Sequence, residues 1–582
     1  LKNSISKTVL YISYAIILLV GLLFYPKWNK GQTEATLSWD VSGYYMYLPA
    51  FFIYENPDEL EWIPGIIEKY KCTPDYQQAF KHESGKYVLK YSSGLSVLMS
   101  PYFAIAHTIA SLNDNYPADG FSKPYQMAIG LGMLIYAFIG LWFFRKILLE
   151  YFSETTVALS ILLLVFGTNY LNFSAVDQAM THSALFAIYA LIIWNSINFY
   201  KRPSSKIAWF IGLLIGLAAL TRPTEIIAIL IPFLWNVNSI NSFKTRSLFF
   251  LKEWKYILIC AIGVVAVGSI QLFYWKYITG SWIVYSYGDQ GFSWLDPHFY
   301  EYWFNPQRGW LRFCPTMFLF FIGALFVIRK KYPWVAVLIF GSLYIYITAA
   351  WDVTWYGGRA MIQSYPVLFF SIASLIEWTV SKKVMRIPFF IILAGLVYYN
   401  IWYSYHLHAG KVHTINVSHA YWKVSAGRYS VHPDAEYLLD NEDWYKENIP
   451  PERQIIFSVN TDSAFQKMGG QLYLNDSIQS STAFNLNIPK DAQWLRAQAK
   501  VRQPIREDVL WSMPQFIIAY YRSDTIFKSN FIRVSRKITD DQAVSVFTDS
   551  KIPPDFEEVR LYFWNAGSKR ELFVTDLKVL AF

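Results

Sequence analysis

One acid and a few cations carry most of the chemistry this sequence offers. Asp40 lies in the stretch LSWDVSGYYMYLPA, residues 37–50, beside Trp39, Gly43, Tyr44, Tyr45 and Tyr47. A carboxylate in an aromatic, low-dielectric setting has its pKa pushed up, and a positioned one takes a proton from a hydroxyl. Arg222 sits in Thr221-Arg222-Pro223-Thr224-Glu225, Arg308 in Asn305-Pro306-Gln307-Arg308-Gly309, and Arg359 in Tyr356-Gly357-Gly358-Arg359. A guanidinium is a planar fork that matches phosphate oxygens, and neighbouring glycine lets backbone approach closely. His182, in Asp177-Gln178-Ala179-Met180-Thr181-His182, and Lys90, before Tyr91, suit a phosphate or a hydroxyl. Each residue has a plainer reading beside this one. Asp40 is a favoured residue type for capping a helix over 41–52. Arg222 pairs with Glu225 across a helix junction in the second reading, His182 is an interfacial histidine, and Arg308 and Arg359 are interfacial cations.

The elements that must position these groups are helices in a bilayer. Of 582 residues, 54% are hydrophobic, 19% aromatic and only 16% charged, which separates the chain from soluble domains. A helix needs about 20 apolar residues to cross, and about eleven spans answer that description. They fall near 8–26, 125–144, 157–173, 183–200, 206–221, 226–238, 256–274, 312–328, 333–350, 360–379 and 387–405. The first is long for a signal sequence and lacks a small-residue cleavage site, so it reads as a retained helix. With the N-terminus inside, Arg145/Lys146, Lys201/Arg202, Lys244/Arg246, Arg329–Lys331 and Lys382/Lys383/Arg386 all fall on the cytoplasmic side. The net charge of +9 is therefore a topology signal rather than a nucleic-acid one. To keep that agreement, 93–112 must be interfacial or re-entrant, which leaves a first outer loop over about 27–123. Asp40, Lys90, Asp177, His182, Arg222, Glu225, Asp289, Arg308, Asp352 and Arg359 then share the outer face.

Beyond residue 406 hydropathy falls. Alternating runs at 454–459, 482–488, 494–501, 515–521, 557–564 and 571–580 read as strands, with Asn565-Ala566-Gly567 as a hairpin turn between the last two. The expected fold is a polytopic α-helical membrane domain over 1–405, a linker with some helix over 406–450, and an antiparallel β-sandwich, jelly-roll-like, over 451–582. An odd number of spans places that last domain outside. Three distant cysteines, Cys72, Cys260 and Cys314, give neither a disulfide framework nor zinc spacing. Walker, GxGxxG, HExxH and GxSxG motifs are absent, so nucleotide hydrolysis, zinc proteolysis and serine hydrolysis have no support.

Several of these stretches, in this order, resemble the C-type superfamily of multispanning glycosyltransferases, and within it bacterial protein mannosyltransferases and aminoarabinose transferases. The likeness is carried by Asp40 with Gly43-Tyr44-Tyr45, Lys90-Tyr91-Ser92-Ser93-Gly94 with Pro101, and Gly167-Thr168-Asn169 leading to His182. Gly216–Pro223, Asn305–Gly309 and Tyr356–Arg359 complete it. The resemblance implies a cytoplasmic-membrane enzyme acting on the outer, periplasmic or extracellular, face. Its donor would be a polyprenyl-phosphate-linked sugar, its acceptor a glycan, lipid or protein, and transfer would invert the anomeric carbon. Asp40 would be the catalytic base; Arg222, Arg308 and Arg359 would hold the phosphate, with His182 and Lys90 shaping the donor pocket. Tyr44, Tyr45, Asp177, Glu225 and Tyr356 would support them. Among the partners are membrane lipids but no nucleic acid; the likeness fixes no cofactor, and a divalent metal stays open. The soluble segment lacks the Trp-Trp-Asp motif of oligosaccharyltransferases. Two readings from other classes stand beside this one: a flippase for a lipid-linked sugar, and an inactive scaffold with a partner-binding β-domain.

Overall fold

A computed structural model describes the chain except residues 1–3, 74–77, 329–331, 352–355, 410–412, 414–416, 429, 432 and 460–471. It is mostly helical (57%) and divides into two compact units, Leu1–His408 and Ala409–Phe582.

The first unit opens with α1 (Ile5–Leu19) and then a run of short elements: α2 (Trp39–Tyr45), α3 (Tyr47–Phe52), α4 (Ile63–Tyr70) and the strand pair β1 (Ala79–Lys81) and β2 (Tyr87–Leu89). The rest is helical: α5 (Gly94–Ser111), α6 (Lys123–Leu149), α7 (Glu154–Phe166), α8 (Thr181–Lys201), α9 (Ser205–Thr221), α10 (Leu230–Leu234), α11 (Ile240–Lys252) and α12 (Trp254–Thr279). After α13 (Phe299–Phe304) and α14 (Trp310–Phe313) come α15 (Phe318–Val327), α16 (Trp334–Ala350), α17 (Tyr365–Ser381) and α18 (Lys383–His408). Every expected span lies on an apolar helix, but length divides them. Among the described residues, six segments are long and apolar enough to cross a membrane: Ile5–Asn29, Lys123–Leu149, Thr181–Lys201, Trp254–Thr279, Tyr356–Ser381 and Lys383–His408. The remaining five, Glu154–Phe166, Ser205–Thr221, Pro223–Leu234, Pro315–Val327 and Trp334–Ala350, have 10–17 residues. At 1.5 Å per residue these fall short of the hydrocarbon thickness.

Polar contacts between helix ends gather in two places. Around residues 145–154, Arg145 donates to Ser4 and Ser6, Glu154 accepts from Ser4, Lys201 pairs with Glu150, and Ser153 donates to Glu377. Those partners are the start of α1, the end of α8 and the last turn region of α17. The opposite ends of these helices meet around 169–177 and 357–359: Lys27 pairs with Asp177, His408 faces Asn172, and Asn169 bonds Gly357. Asp40, Arg222 and His182 belong to this second group of ends.

The second unit begins with α19 (His419–Ser425) and a short 3₁₀ turn, Pro433–Leu438. Its strands are β3 (Gln454–Val459), β4 (Tyr473–Leu474), β5 (Phe484–Asn485), β6 (Trp494–Arg502), β7 (Gln515–Arg522), β8 (Thr525–Arg533), β9 (Val544–Lys551), β10 (Glu558–Trp564) and β11 (Leu572–Ala581). They form two antiparallel sheets, ordered β5-β10-β7-β8 and β3-β11-β6-β9 with β4 also on β11. One buried cluster draws on both, including Leu495 and Val501 of β6, Phe516 and Ile518 of β7, Phe563 of β10 and Val579 of β11. Strict alternation along β6 explains why that strand is readable from the sequence.

The expected hairpin at Asn565-Ala566-Gly567 is not one. The turn forms, with Ala566 at φ 51° and Gly567 at φ 78°, but β10 and β11 lie in different sheets. Its polar groups are taken by the 475–479 loop instead: Asn565 N donates to Gln479 O (2.7 Å) and Gly567 N to Gln479 Oε1 (2.8 Å). The true two-residue hairpin is Ser523-Asp524, both residues at positive φ, between β7 and β8.

Candidate functional site

Helix α2 is only seven residues long, and its first residue, Trp39, holds a left-handed φ of 48°. Ser38 takes the N-cap position, so Asp40 is not the cap of this helix. Both of its carboxylate oxygens are used elsewhere. Oδ1 accepts from the Tyr91 hydroxyl at 2.8 Å, and Oδ2 accepts from Arg359 Nη2 at 2.6 Å, across 319 residues of chain. Burial acts to raise the Asp40 carboxyl, but Arg359, the Tyr91 hydroxyl and Lys90 outweigh it and hold the group below the ordinary carboxylate value. The expected upward shift in an aromatic setting is therefore reversed. Aromatic neighbours remove solvent, but the cation beside them decides the sign.

Tyr91 is fixed by stacking on Tyr44, with ring centroids 4.3 Å apart. Gly43 makes this possible, since a Cβ there would come within 2.6 Å of the Tyr91 ring. Lys90 Nζ lies 5.7 Å from the Tyr91 ring and 5.8 Å from that of Tyr287. The Lys90 carbonyl accepts from Ser286 Oγ at 2.6 Å, which ties the 280–290 loop to this corner.

Arg359 is delivered by two successive left-handed glycines, Gly357 (φ 64°) and Gly358 (φ 57°). Asn169 Nδ2 donates to Gly357 O (2.8 Å), and Gly358 N donates to Arg308 O (2.9 Å). The Tyr365 hydroxyl in turn donates to Asn169 Oδ1 at 3.0 Å. The three motifs around Asn169, Arg308 and Gly357 thus converge on one backbone support. Arg308 contributes its carbonyl to it; its guanidinium has no hydrogen-bond or ion-pair partner among the described residues, and the same is true of Arg222.

Arg222 ends α9 in an extended conformation before Pro223. It lies in electrostatic reach of Tyr44, Tyr287, Tyr344 and Glu225. It does not form the bridge to Glu225 of its plainer reading. Glu225 is 1% exposed and satisfied by three neutral donors: Tyr189 (2.7 Å), Tyr344 (2.9 Å) and Gln363 Nε2 (3.1 Å). Because Gln363 donates to that carboxylate, its Oε1 faces His182 Nδ1 at 3.2 Å as an acceptor. His182 is buried, edge-on to Phe173 at 5.0 Å, and both Arg359 and Arg222 act on it electrostatically.

Three expected supporting residues stand apart. Asp177 pairs with Lys27 at 2.6 Å and accepts from Asn172 at 3.1 Å, and burial opposed by Lys27 and His408 leaves its carboxyl below the usual value. Tyr45 points its hydroxyl at Gly120 O (2.7 Å), and Tyr356 packs with Phe313 and Tyr403. Asp289 is exposed, and Asp352 lies outside the described residues. A pocket lined by Trp28, Lys30, Tyr70, Cys72, Lys123 and Gln126 backs onto the Asp40 segment, to which it is joined by Trp39 N donating to Cys72 O and Leu37 N to Gln126 Oε1. Among the described residues no three His, Cys, Asp or Glu side chains come together as metal ligands.

Of Tyr91, Tyr287, Gln363, Tyr189 and Tyr344, only Tyr91 was a sequence candidate, in the pair Lys90-Tyr91 before Gly94. The other four carried no such signal. No known protein family matches the chain, and no characterised protein matches it either.

Proposed function

We propose that the chain is a membrane glycosyltransferase that moves a sugar from a polyprenyl-phosphate donor to an acceptor hydroxyl. The reading is supported above all by one juxtaposition: the Asp40 carboxylate and the Arg359 guanidinium in contact, with Arg222 and Lys90 in the same electrostatic neighbourhood. Taking Asp40 and Glu225 as anions and Lys90, Arg222 and Arg359 as cations leaves one positive charge uncompensated. That excess suits a sugar phosphodiester, which carries a single negative charge.

In this mechanism the acceptor O–H gives its proton to an Asp40 oxygen while the acceptor oxygen forms a bond to the anomeric carbon. The bond from that carbon to the phosphate oxygen breaks, and its electron pair stays on the phosphate. Arg222 and Arg359 stabilise the charge that develops there. Attack from the face opposite the leaving group inverts the anomeric carbon. The finer architecture belongs to the same proposal: about eleven crossings, the five short helices included, a C-type glycosyltransferase fold, and the two sheets of the second unit as a β-sandwich outside a cytoplasmic membrane. A flippase needs a second polar site at the other helix ends. There Arg145 meets Glu154 and Lys201 meets Glu150, so these four charges are already paired.

The test is transfer of radiolabelled sugar by the purified protein in lipid, offered a panel of polyprenyl-phosphate sugars. Transfer by the wild type, reduced about 10²- to 10⁴-fold in Asp40→Asn, is the expected outcome for loss of a general base. Full turnover in Asp40→Asn would remove Asp40 from the mechanism.

A further inference from the structure

Asp40 poses a problem for its own proposed role. A base must be basic enough to take the acceptor's proton, yet a cation in contact with one of its oxygens and a hydroxyl on the other both stabilise its charged form. We infer that Arg359 masks Asp40 in the unliganded protein, that a phosphate group draws Arg359 away, and that Tyr91 is the positioning residue that keeps Asp40 aimed once Arg359 leaves. This rests on the transferase reading of the site and adds an order to it: the lipid phosphate binds first, and only then does the base exist.

The geometry of the pair makes it exchangeable. Only one nitrogen of Arg359 meets Asp40, through one carboxylate oxygen, so most of the five guanidinium donors are unspent on this partner. Asp40 and Arg359 retain 27% and 23% side-chain exposure, so neither is sealed in. A phosphate offers the guanidinium several oxygens and a bidentate geometry, which a one-oxygen contact does not match. Arg222, with no hydrogen-bonded partner among the described residues, and Lys90 supply a field that favours an anion at this place. The backbone under Arg359 is pinned through Gly357 to Asn169 and through Gly358 to Arg308. The exchange is therefore a swing of the long side chain over a fixed backbone.

Tyr91 is placed for the other half of the task. Its ring is stacked on Tyr44 and flanked by Tyr287 at 6.1 Å, so its hydroxyl does not depend on Arg359 for its position. The charged and titratable groups around Asp40, among the described residues, are Arg359, Lys90, Tyr91, Tyr44 and Tyr287, with Arg222 acting on the last two. When Arg359 turns to phosphate, the strongest influence lowering the carboxyl is removed, and its basicity rises while the acceptor is being held. The benefit is chemical economy: with no donor bound, no activated hydroxyl or water stands at the site.

The experiment measures carbodiimide-driven coupling of glycine methyl ester to Asp40, read by peptide mass spectrometry, on the full chain in lipid nanodiscs. The reagent needs a protonatable, unpaired carboxyl. Undecaprenyl monophosphate is the probe, with its binding followed separately by tryptophan fluorescence. Expected is a several-fold rise in Asp40 labelling when the lipid phosphate binds, and the same high level in Arg359→Gln without lipid and with no further response. Arg359→Lys, which keeps the charge, guards against loss of fold and should label at an intermediate level. Tyr91→Phe should lower kcat about 10- to 100-fold, as for a lost hydrogen bond to a charged group, with KM for the donor unchanged. Arg359→Gln no more reactive than wild type, or lipid phosphate bound with Asp40 labelling unchanged or lower, overturns the mask. A parallel change in kcat and KM for Tyr91→Phe overturns its positioning role. Failure of the transferase reading would appear elsewhere, as absence of sugar transfer, while the Arg359→Gln arm still reports on the mask.

Discussion

The Asp40–Arg359 pair of the first unit and the Asp549–Arg496 pair, one of several arginine–aspartate pairs in the second, are built differently. Asp549 meets Arg496 through both oxygens, at 2.6 and 2.7 Å, and Oδ2 also accepts from Tyr445 N at 2.9 Å. Arg496 returns a bond to Tyr445 O (3.0 Å) and lies over the Phe547 ring, and the pair is only 12% and 1% exposed. Asp40 and Arg359 share one short contact at the edge of solvent. Burial raises the Asp549 carboxyl and wins over Arg496, whereas at Asp40 the cation and the Tyr91 hydroxyl win. The same two residue types serve as a clasp in one place and as a detachable contact in the other. Bidentate geometry and full burial make the difference, because a clasp that opens leaves a buried charge without a partner.

Breaking each pair should separate the two roles. Asp40→Asn is expected to cost about 10²- to 10⁴-fold in turnover with the fold intact, while Asp549→Asn leaves turnover per folded molecule unchanged. Asp549→Ala strands Arg496 and should destabilise the second unit by about 3–5 kcal/mol, measured by chemical denaturation of the full chain with a probe in that unit. Paired glycine substitutions sharpen the contrast. Gly358→Ala combines φ 57° with a Cβ 2.6 Å from that of Trp310, and should both destabilise and misdirect Arg359. Gly567→Ala, at φ 78° with open space around it, should cost only about 1–2 kcal/mol and leave transfer untouched.

The smallest effects are in pH. A carboxyl lowered in the folded state, as at Asp40, adds stability above the ordinary carboxylate pKa, and that stability is lost as pH falls through the lowered value. One raised on folding, as at Asp549, acts oppositely: stability falls as pH rises from the ordinary value through the raised one. Asp40→Asn should therefore flatten the acid loss of stability, and Asp549→Asn should make stability fall less as pH rises across its window. Thermal unfolding followed from about pH 2 to 6 checks both signs, with the Asp40 window below the free carboxylate range and the Asp549 window above it.

How far the sequence led depends on how local each signal is. Each expected span falls on an apolar helix, because hydropathy is local, but only six segments among the described residues are long enough to cross, because length depends on where helices end. Strands β6, β7, β10 and β11 were readable from alternation and turn residues. Strands β8 and β9 were missed: Thr525–Arg533 exposes its first three residues in a row, and its hairpin uses Ser523-Asp524 with no glycine. In the site, residue type and sidedness pointed to Asp40, Arg222 and Arg359, but pairing over 319 residues is a property of the fold. Glu225 shows the same limit. Its partners Tyr189 and Tyr344 sit within apolar helices and read as ordinary aromatics until packing turns both hydroxyls onto one carboxylate.

Trp39 also bears on how fast the site can respond. It is a bulky residue, 37% exposed, in a backbone region that suits glycine, immediately before Asp40. Such a conformation stores about 1–3 kcal/mol and persists only while its surroundings hold it. Its amide is held by the Cys72 carbonyl, and Asp40 by Arg359 and Tyr91. Release of Arg359 would remove one of those restraints from a turn already under load, so small adjustments of Asp40 onto a bound acceptor would cost less while the Tyr91 hydroxyl still aims it. The turn is a loaded catch whose trigger lies 319 residues along the chain.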